Sequence, residues 1–515
     1  MLSPLYLFCK SYPALFYGLS FLLGVYGGLG ISSSSLFINS LLLTILLLSF
    51  AFQQEYKAAV FNFLLFLSAA FYSSLAFQPP QLPEQGVTGT ALIHISSLSR
   101  KNTFIGKSWN YQGKLLYFTG HESLNIYPNI SVIISLLDHA ALNRPSANKT
   151  YLLQGRLKQS KNGKFIFKPD KYQPWHPLAN SWGLAEWRFN AKQAVNQYIS
   201  QKISKNPNSP SSSFLSGITT GEFENRLMAF EFSRFGLQHI MAISGFHFAI
   251  VAGMLGFILS WIVGQKTSVS LLMLFMTLYF AFLGPSPSII RAWVSCMLGF
   301  GATLLEKPPS GLNSLGIGLL IVLIFDPELA LHIGFQFSFA VTAAILVSYF
   351  SFDYLLQKIF AKKTFNQLMA MNLSNQHGFI VLTLFRQALA LSIAVTLAAL
   401  PLTLYYFQKF PLWSIIYNFF FPWMVSLALM LLLAGLMVGI LSSSLAQIIH
   451  NFNESFTNFV LDYAYGMPKS LDYNINLLMN QEITILWLGI YFLAGIYGRH
   501  YLSQQQKITS QEFIF

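Results

Sequence analysis

Apolar positions along the chain follow two spacings. Long, nearly unbroken apolar runs occupy about 12–30, 36–52 and 58–77, then 237–264, 269–284, 289–305, 311–325, 330–350, 386–408, 413–440 and 483–498, with a weaker run at 444–466. About 20 apolar residues carry a helix across roughly 30 Å of hydrocarbon, so this spacing predicts about 11–12 transmembrane crossings over the chain. Between the two groups the pattern changes to short alternating runs at 87–95, 112–118, 130–137, 151–157 and 164–168, bounded by Gly, Asn and Pro. Period-two alternation predicts half-buried strands, and Asn162-Gly163 predicts a hairpin turn between the last two. Five such strands predict a small β-barrel, of which the OB type is one option. The fold class is therefore a polytopic α-helical membrane protein with an inserted small β-barrel (OB-like) extracytoplasmic domain. Four segments follow from the pattern: N-terminal transmembrane helices at 1–77, a β domain at 78–180, interfacial amphipathic helices at 181–235 with Trp182, Leu184 and Trp187 near their start, and a second membrane domain at 236–515.

Composition agrees with the pattern. Hydrophobic residues make up 54% of the 515 positions and charged residues 10%, against a soluble norm of about 25% charged. The first run is read as retained, since two further spans follow it at once. Lys10 and Lys57 flank these helices on one side while the Ser32 to Ser35 turn carries no charge, which puts the N-terminus in the cytoplasm and the β domain outside. Arg499, Lys507, Lys358, Lys362 and Lys363 join that side if 444–466 also crosses. Cys9 and Cys296 lie in or beside apolar segments far apart, which is no disulfide framework.

Charge singles out the β domain. Residues 80–210 hold 16 Lys and Arg against 5 Asp and Glu, and so carry nearly all of the net charge of +13. Aromatics are interleaved with the bases: Trp109, Tyr111, Tyr117, Phe118, Tyr127, Tyr151, Phe165, Phe167, Tyr172 and Trp175. A cationic groove with stacking platforms suits single-stranded nucleic acid; the competing reading is a barrel core of aromatics under a solvated basic face. The residues that would grip DNA are Lys107, Lys114, Arg156, Lys158, Lys161, Lys164 and Lys168, with Trp109 and Tyr117.

Four polar clusters interrupt the apolar runs. The first holds His239, Ser244, Gly245 and His247, where a helix would set the two histidines about 80° apart and facing one cavity. The second is Gly284-Pro285-Ser286-Pro287-Ser288 followed by Arg291, which either snorkels to the interface or faces the interior. Asp326-Pro327 with Gln336 and Ser338 forms the third, suited to helix-to-helix hydrogen bonds or to a pathway. The fourth runs from Pro401 through Phe410-Pro411 and Asn418 to Pro422, where repeated Pro predicts broken helices. Ser244 with His247 also admits a hydrolase reading, although no acidic residue stands in that segment to orient the pair. The chain contains no phosphate-loop, H-E-x-x-H or H-x-H-x-D-H motif, so neither ATP hydrolysis, metal, cofactor nor other enzyme chemistry is expected.

Together these segments resemble the ComEC family of bacterial competence proteins. The likeness is carried by GLQHIMAISGFHF at Gly236 to Phe248, S-x-x-R-A at Ser288 to Ala292, D-P and GFQFSF from Asp326 to Phe339, and FPLWS with Asn418 up to Pro422. It covers about 214–440 well and the rest more loosely. The resemblance implies an inner-membrane channel for single-stranded DNA during natural transformation, with 236–515 as its channel domain and an OB-like domain on the periplasmic side contacting the incoming strand. Implied partners are the lipid bilayer, a periplasmic DNA receptor, a cytoplasmic motor and further copies of the chain in a homo-oligomer. Many members also end in a metallo-β-lactamase-like domain, absent from this sequence, so degradation of the second strand is expected from another protein. Other readings are a secondary transporter of a small anion or ion, or an intramembrane hydrolase.

Overall fold

The computed structural model describes residues 3–512 except 30–32, 52, 77–81, 104–105, 121–124, 127–129, 138–143, 161–163, 171–174, 181, 204–208, 224, 467 and 469–471. Helices dominate it. The first are α1 (Ser3–Ser11), α2 (Pro13–Gly28), α3 (Ser33–Ala51) and α4 (Tyr56–Ala76). The α1 and α2 axes meet at 102° beside Pro13, whose missing N–H stops α1 from continuing. α2 and α4 run parallel and in close contact: Ser20 Oγ donates to Asn62 Oδ1 at 3.1 Å, and a Cβ on Gly28 would fall 2.1 Å from Ser73 Oγ. Small residues at four-residue spacing let two backbones approach where lipid gives no hydrophobic drive to do so.

The larger membrane unit contains α8 (Gly245–Val263), α9 (Gln265–Leu283), α10 (Pro287–Leu304), α11 (Gly311–Phe325), α12 (Ile333–Gln357), the short α13 (Phe365–Met369), α14 (Leu373–Phe407), α15 (Ser414–Gly439), α16 (Ser443–Tyr465) and α17 (Gln481–Glu512). Among the described residues, seven helices are long and apolar enough to cross a membrane, or eight with the bent α1–α2 pair. The remaining crossings expected from the apolar runs correspond to helices that fall short in length or apolarity, such as α11 and the apolar part of α3 at Asn39–Ala51. The chain is a multi-pass helical membrane protein.

Between α4 and α8 lies the barrel. Its strands are β1 (Val87–Thr103), β2 (Gly106–Gly120), β3 (Ile130–Leu137), β4 (Lys149–Gln159) and β5 (Phe165–Pro169). They pair in the order β1-β2-β3-β5-β4, and β4 returns to β1, which closes the sheet. All pairs are antiparallel except β3 with β5. That order is compatible with an OB-type barrel. The alternation that predicted the strands is the alternation of burial: Tyr151, Leu153, Gly155 and Leu157 of β4 point inward and Leu152, Gln154, Arg156 and Lys158 outward. A further strand, β6 (His176–Asn180), pairs with β4. The expected Asn162-Gly163 turn lies outside the described residues.

After the barrel come α5 (Ala185–Tyr198), a π-helical turn (Ile199–Ile203), α6 (Pro210–Thr220) and α7 (Arg226–Arg234). Their apolar residues, including Ile199, Phe214, Leu215 and Phe232, share one core with Phe421, Leu429 and Leu432 of α15 and Val460 of α16. Trp182 and Trp187 remain exposed. At the same end of the bundle β7 (Lys409–Pro411) pairs with β8 (Asn474–Asn476), and Arg234 clamps Asp472 with two hydrogen bonds of 3.0 and 2.9 Å.

Two expectations are corrected. The run at 237–264 is not one helix: a 3₁₀ turn holds Gln238–Ile240, and α8 begins only after Ser244. The chain breaks there because Ser244 takes an extended conformation as the N-cap. The second correction concerns Pro401 and Pro422, which sit inside continuous α14 and α15 instead of breaking them. Pro401 cannot donate to the Leu397 carbonyl one turn back, and the Trp487 indole does so in its place at 3.0 Å. Breaks do fall at Pro285 to Pro287, between α9 and α10, where two prolines two residues apart cannot continue a helix, and at Gln408 to Trp413 around Pro411, between α14 and α15.

Candidate functional site beneath a basic barrel

The 3₁₀ turn Pro327–Leu331 joins α11 to α12 at the barrel end of the bundle. Asp326 caps it by accepting from the Glu328 N–H at 3.1 Å. The Ser131 hydroxyl of β3 donates to Glu328 Oε2 at 3.2 Å, so the outer face of β2 and β3 rests on this turn. In OB barrels that face commonly receives oligonucleotides. Lys114 of β2 is near enough to act on the Asp326 and Glu328 carboxyls, and Lys164 on His332.

Charge states at this contact follow from crowding. Burial pushes Glu328 up to about 7, helped by the neighbouring Asp326 and opposed by Ser131 and Lys114. Burial likewise raises Asp326, and burial followed by the charge of Lys164 lowers His332. A carboxyl with a folded value above its unfolded one holds its proton more tightly when folded. The stability it contributes is therefore present below about 4.5 and is lost as pH rises to about 7. Glu328→Gln is expected to remove that part of the pH dependence, on the order of 2 kcal/mol, in thermal unfolding scans from acid to neutral pH. Equal slopes for the two proteins would contradict the assignment.

Below the turn, polar side chains from four helices form two groups on opposite sides of α12. The Gln336 amide of α12 donates to the Ala330 carbonyl at 3.1 Å and to the Tyr26 hydroxyl of α2 at 3.4 Å, and accepts from the Tyr406 hydroxyl of α14 at 2.8 Å. Two positions on, Ser338 accepts from Arg291 Nε of α10 at 2.7 Å. Arg291 thus faces the interior rather than snorkelling. Its terminal amines lie beside Gly245, where a Cβ would stand 3.3 Å from Nη2. Among the described residues no carboxylate pairs with Arg291. Ser288 ties the start of α10 to the α8 entry by donating to the Ile243 carbonyl at 3.2 Å.

The structure separates the remaining candidates. Ser244 and His247 are joined at the cap of α8, with Oγ to Nδ1 at 3.3 Å and the Ser244 N–H on the same nitrogen at 3.3 Å. His239 stands apart in the 3₁₀ turn, exposed, its Nδ1 3.2 Å from the Gly236 carbonyl. The two histidines therefore do not share a helix face. Asn418 lies in the second turn of α15 with its Oδ1 buried and unbonded. Gly245, Arg291 and Ser338 come together, Gln336 joins Tyr26 and Tyr406 on the other side of α12, and His239 and Asn418 join neither group. Tyr26 and Tyr406, which bind Gln336, and Glu328, which meets the barrel, were not singled out from the sequence, where Tyr26 and Tyr406 read as ordinary span aromatics.

On the barrel, Arg156 of β4 stands opposite Lys168 of β5, with Lys158 two places on along the same face; all three are exposed. Lys114 and Lys164 are exposed too, but on the side facing the acidic turn. Lys107 lies on β2, and Lys161 falls outside the described residues. Tyr117 is half-buried. Trp109 packs edge-on against Phe189 of α5, with the Arg100 and Arg144 guanidinium groups 5.1 and 5.7 Å from its ring centre. Arg144 in turn pairs with Glu186. Tyr111, Phe118, Tyr151, Phe165 and Phe167 are buried in the barrel core, so half of the interleaved aromatics serve packing.

The profile of a family described as competence protein matches residues 224–502, more than half of the chain. The chain is also similar to ComE operon protein 3 of Bacillus subtilis (strain 168), with 27% identity over 217 residues that cover 42% of this chain and 24% of that protein. The aligned part is thus about a quarter of the relative's length. No solved structure matches the chain.

Proposed function

The chain belongs to the competence protein family, and from that premise we propose that it conducts single-stranded DNA across the inner (cytoplasmic) membrane into the cell during natural transformation. The observation that carries this reading is the seating of a basic barrel on the Glu328 turn, whose Ala330 carbonyl accepts from Gln336 of α12, the helix that also holds the Ser338–Arg291 pair. A strand held along Arg156, Lys158, Lys168 and the β2–β3 face would reach that turn and then pass to that pair, with Ser244, His247, His239 and Asn418 farther along or beside the route. Lys107, Lys161 and Tyr117 extend the grip, and Trp109 orients the basic surface through its two arginines.

Orientation follows from charge. Lys10, Lys57, Lys266, Lys307, Lys358, Lys362 and Lys363 stand at helix ends away from the barrel, and short-loop Lys and Arg favour the cytoplasm. The barrel then faces the periplasm, where a receptor would hand over the strand, and a cytoplasmic motor would draw it in through one chain or an oligomer. No observation favours a hydrolase: the Ser244–His247 pair caps α8, and no carboxylate among the described residues orients the ring.

Fluorescence anisotropy of the full chain in detergent with a labelled single-stranded oligonucleotide tests the barrel's part. Affinity is expected to fall with salt at a log–log slope of about −0.7 per phosphate contacted. Alanine at Arg156, Lys158 and Lys168 together should reduce the slope by about 2. Binding that ignores ionic strength would remove the barrel from the proposal.

A further inference from the structure

α5 joins the barrel to the membrane bundle. Ala185 and Phe189 near its start pack into the barrel core, whereas Val195 near its end and Ile199 of the π-helical turn pack with Leu429 and Leu432 of α15. On the bundle side the packing leaves a gap. A cavity of about 290 Å³ is bounded by Val195, Tyr198 and Ile199, by Thr219 of α6, and by Leu432 and Leu436 of α15. Thr219 spends its hydroxyl on the Leu215 carbonyl at 2.7 Å, and Tyr198 stands at the exposed rim. The inner walls are therefore apolar. Such a cavity stays dry and takes apolar guests, although it has room for roughly ten water volumes. Its size lies close to the lower bound of ligand sites, roughly 300 Å³.

The backbone departs from regular helix at the same place. α5 ends at Tyr198, and the π-helical turn Ile199–Ile203 begins on the cavity wall. Single π turns are rare and gather at functional sites. The depth of the cavity follows from α15, a helix long and apolar enough to span the membrane, whose last two turns hold Leu432 and Leu436. Just beyond them, at the turn into α16, Ile440 and Leu441 are 85% and 89% exposed, and Leu445 and Ile448 of α16 are exposed as well. A contiguous apolar surface of this kind belongs in hydrocarbon rather than in water, so the rim opens among lipid chains.

We propose that the cavity holds one acyl chain of a bilayer phospholipid, which wedges α5 against α15 as a structural part of the joint between barrel and bundle. The chain enters past Ala194 and Tyr198, both exposed, and ends against Ile199 and Leu432, both buried. The seating of the barrel then depends on lipid as well as on the Ser131–Glu328 contact. This role belongs to the joint alone and is independent of what the bundle moves.

The test reconstitutes the full chain with a phosphatidylcholine carrying a diazirine near the end of one acyl chain. The protein is then taken into mild detergent and washed free of unbound lipid before irradiation, and peptide mass spectrometry maps the adducts. Adducts are expected on Val195, Ile199, Leu432 or Leu436. Ala194→Phe fills the rim and should abolish them; Thr219→Leu narrows the cavity from the α6 side and should reduce them. Thermal unfolding after delipidation separates filling from misfolding. Added phosphatidylcholine should raise the Tm of the wild type, while delipidated Ala194→Phe should melt no lower than the delipidated wild type, because its ring occupies the void. Absence of retained lipid in the wild type overturns the proposal, as do adducts confined to other surfaces or equal labelling in both filled variants.

Discussion

Arg386→Met, with Asp353 retained, is expected to lower the stability of the bundle by about 3–5 kcal/mol, the cost of leaving one member of a buried ion pair uncompensated. Arg386 Nε lies 2.9 Å from Asp353 Oδ1, and the side chains are 2% and 12% exposed. Arg386 Nη1 also donates to the Phe360 carbonyl at 3.2 Å, and Gln357 Nε2 reaches Asp353 Oδ2 at 2.6 Å. The cluster fixes the α12–α14 crossing at the end far from the barrel. Replacing both charges, as Arg386→Met with Asp353→Leu, should recover much of the loss, because well-packed apolar groups often match a buried pair. Thermal unfolding in detergent measures both. If the single variant melts like the wild type, the pair is not holding the crossing.

Arg291→Gln is expected to have the largest functional effect. DNA entry to the cytosol should fall about 10- to 100-fold, the equivalent of one charge-assisted hydrogen bond of about 1.5–3 kcal/mol, while DNA captured outside the inner membrane stays constant. Among the described residues its Nε binds Ser338 and its terminal amines lie beside Gly245; under the proposed passage they would meet the phosphate of a strand. Arg291→Lys keeps the charge but not the fork, so it should fall between the two. Separate scoring of protected DNA in periplasm and cytosol, with membrane levels of each variant matched, checks the result. An equal loss in both compartments would move Arg291 from passage to assembly.

Much of the fold was legible because the sequence patterns report burial directly. The alternation at 151–157 is the inside and outside of β4, but the parallel β3–β5 pair that inverts the strand order and closes the barrel is not written in any local pattern. Helix interruptions were harder. Pro285 and Pro287 end α9 as their chemistry dictates, yet Pro401 does not end α14, because the compensating donor Trp487 lies 86 positions away. The site followed the same rule. Gln336 and Ser338 were recognisable as polar residues two places apart in an apolar run, whereas their partners Tyr26, Tyr406 and Arg291 come from three other helices. Asp353 and Arg386 each fall at the edge of an apolar run and read as ordinary boundary charges. Trp109 looked like a free stacking platform until Phe189, Arg100 and Arg144 closed around it.

Arg499 of α17 donates to the Leu346 carbonyl of α12 at 2.8 Å and to the Tyr12 hydroxyl at the α1–α2 bend at 2.6 Å. Tyr12 leaves the ribosome more than 480 residues before its partner does. While the chain is being inserted, the elbow between α1 and α2 must wait with that hydroxyl unmatched, and the early helices stay loosely docked until α17 arrives to lock them. Synthesis stalled just short of α17 should thus yield a protease-sensitive, chaperone-bound precursor.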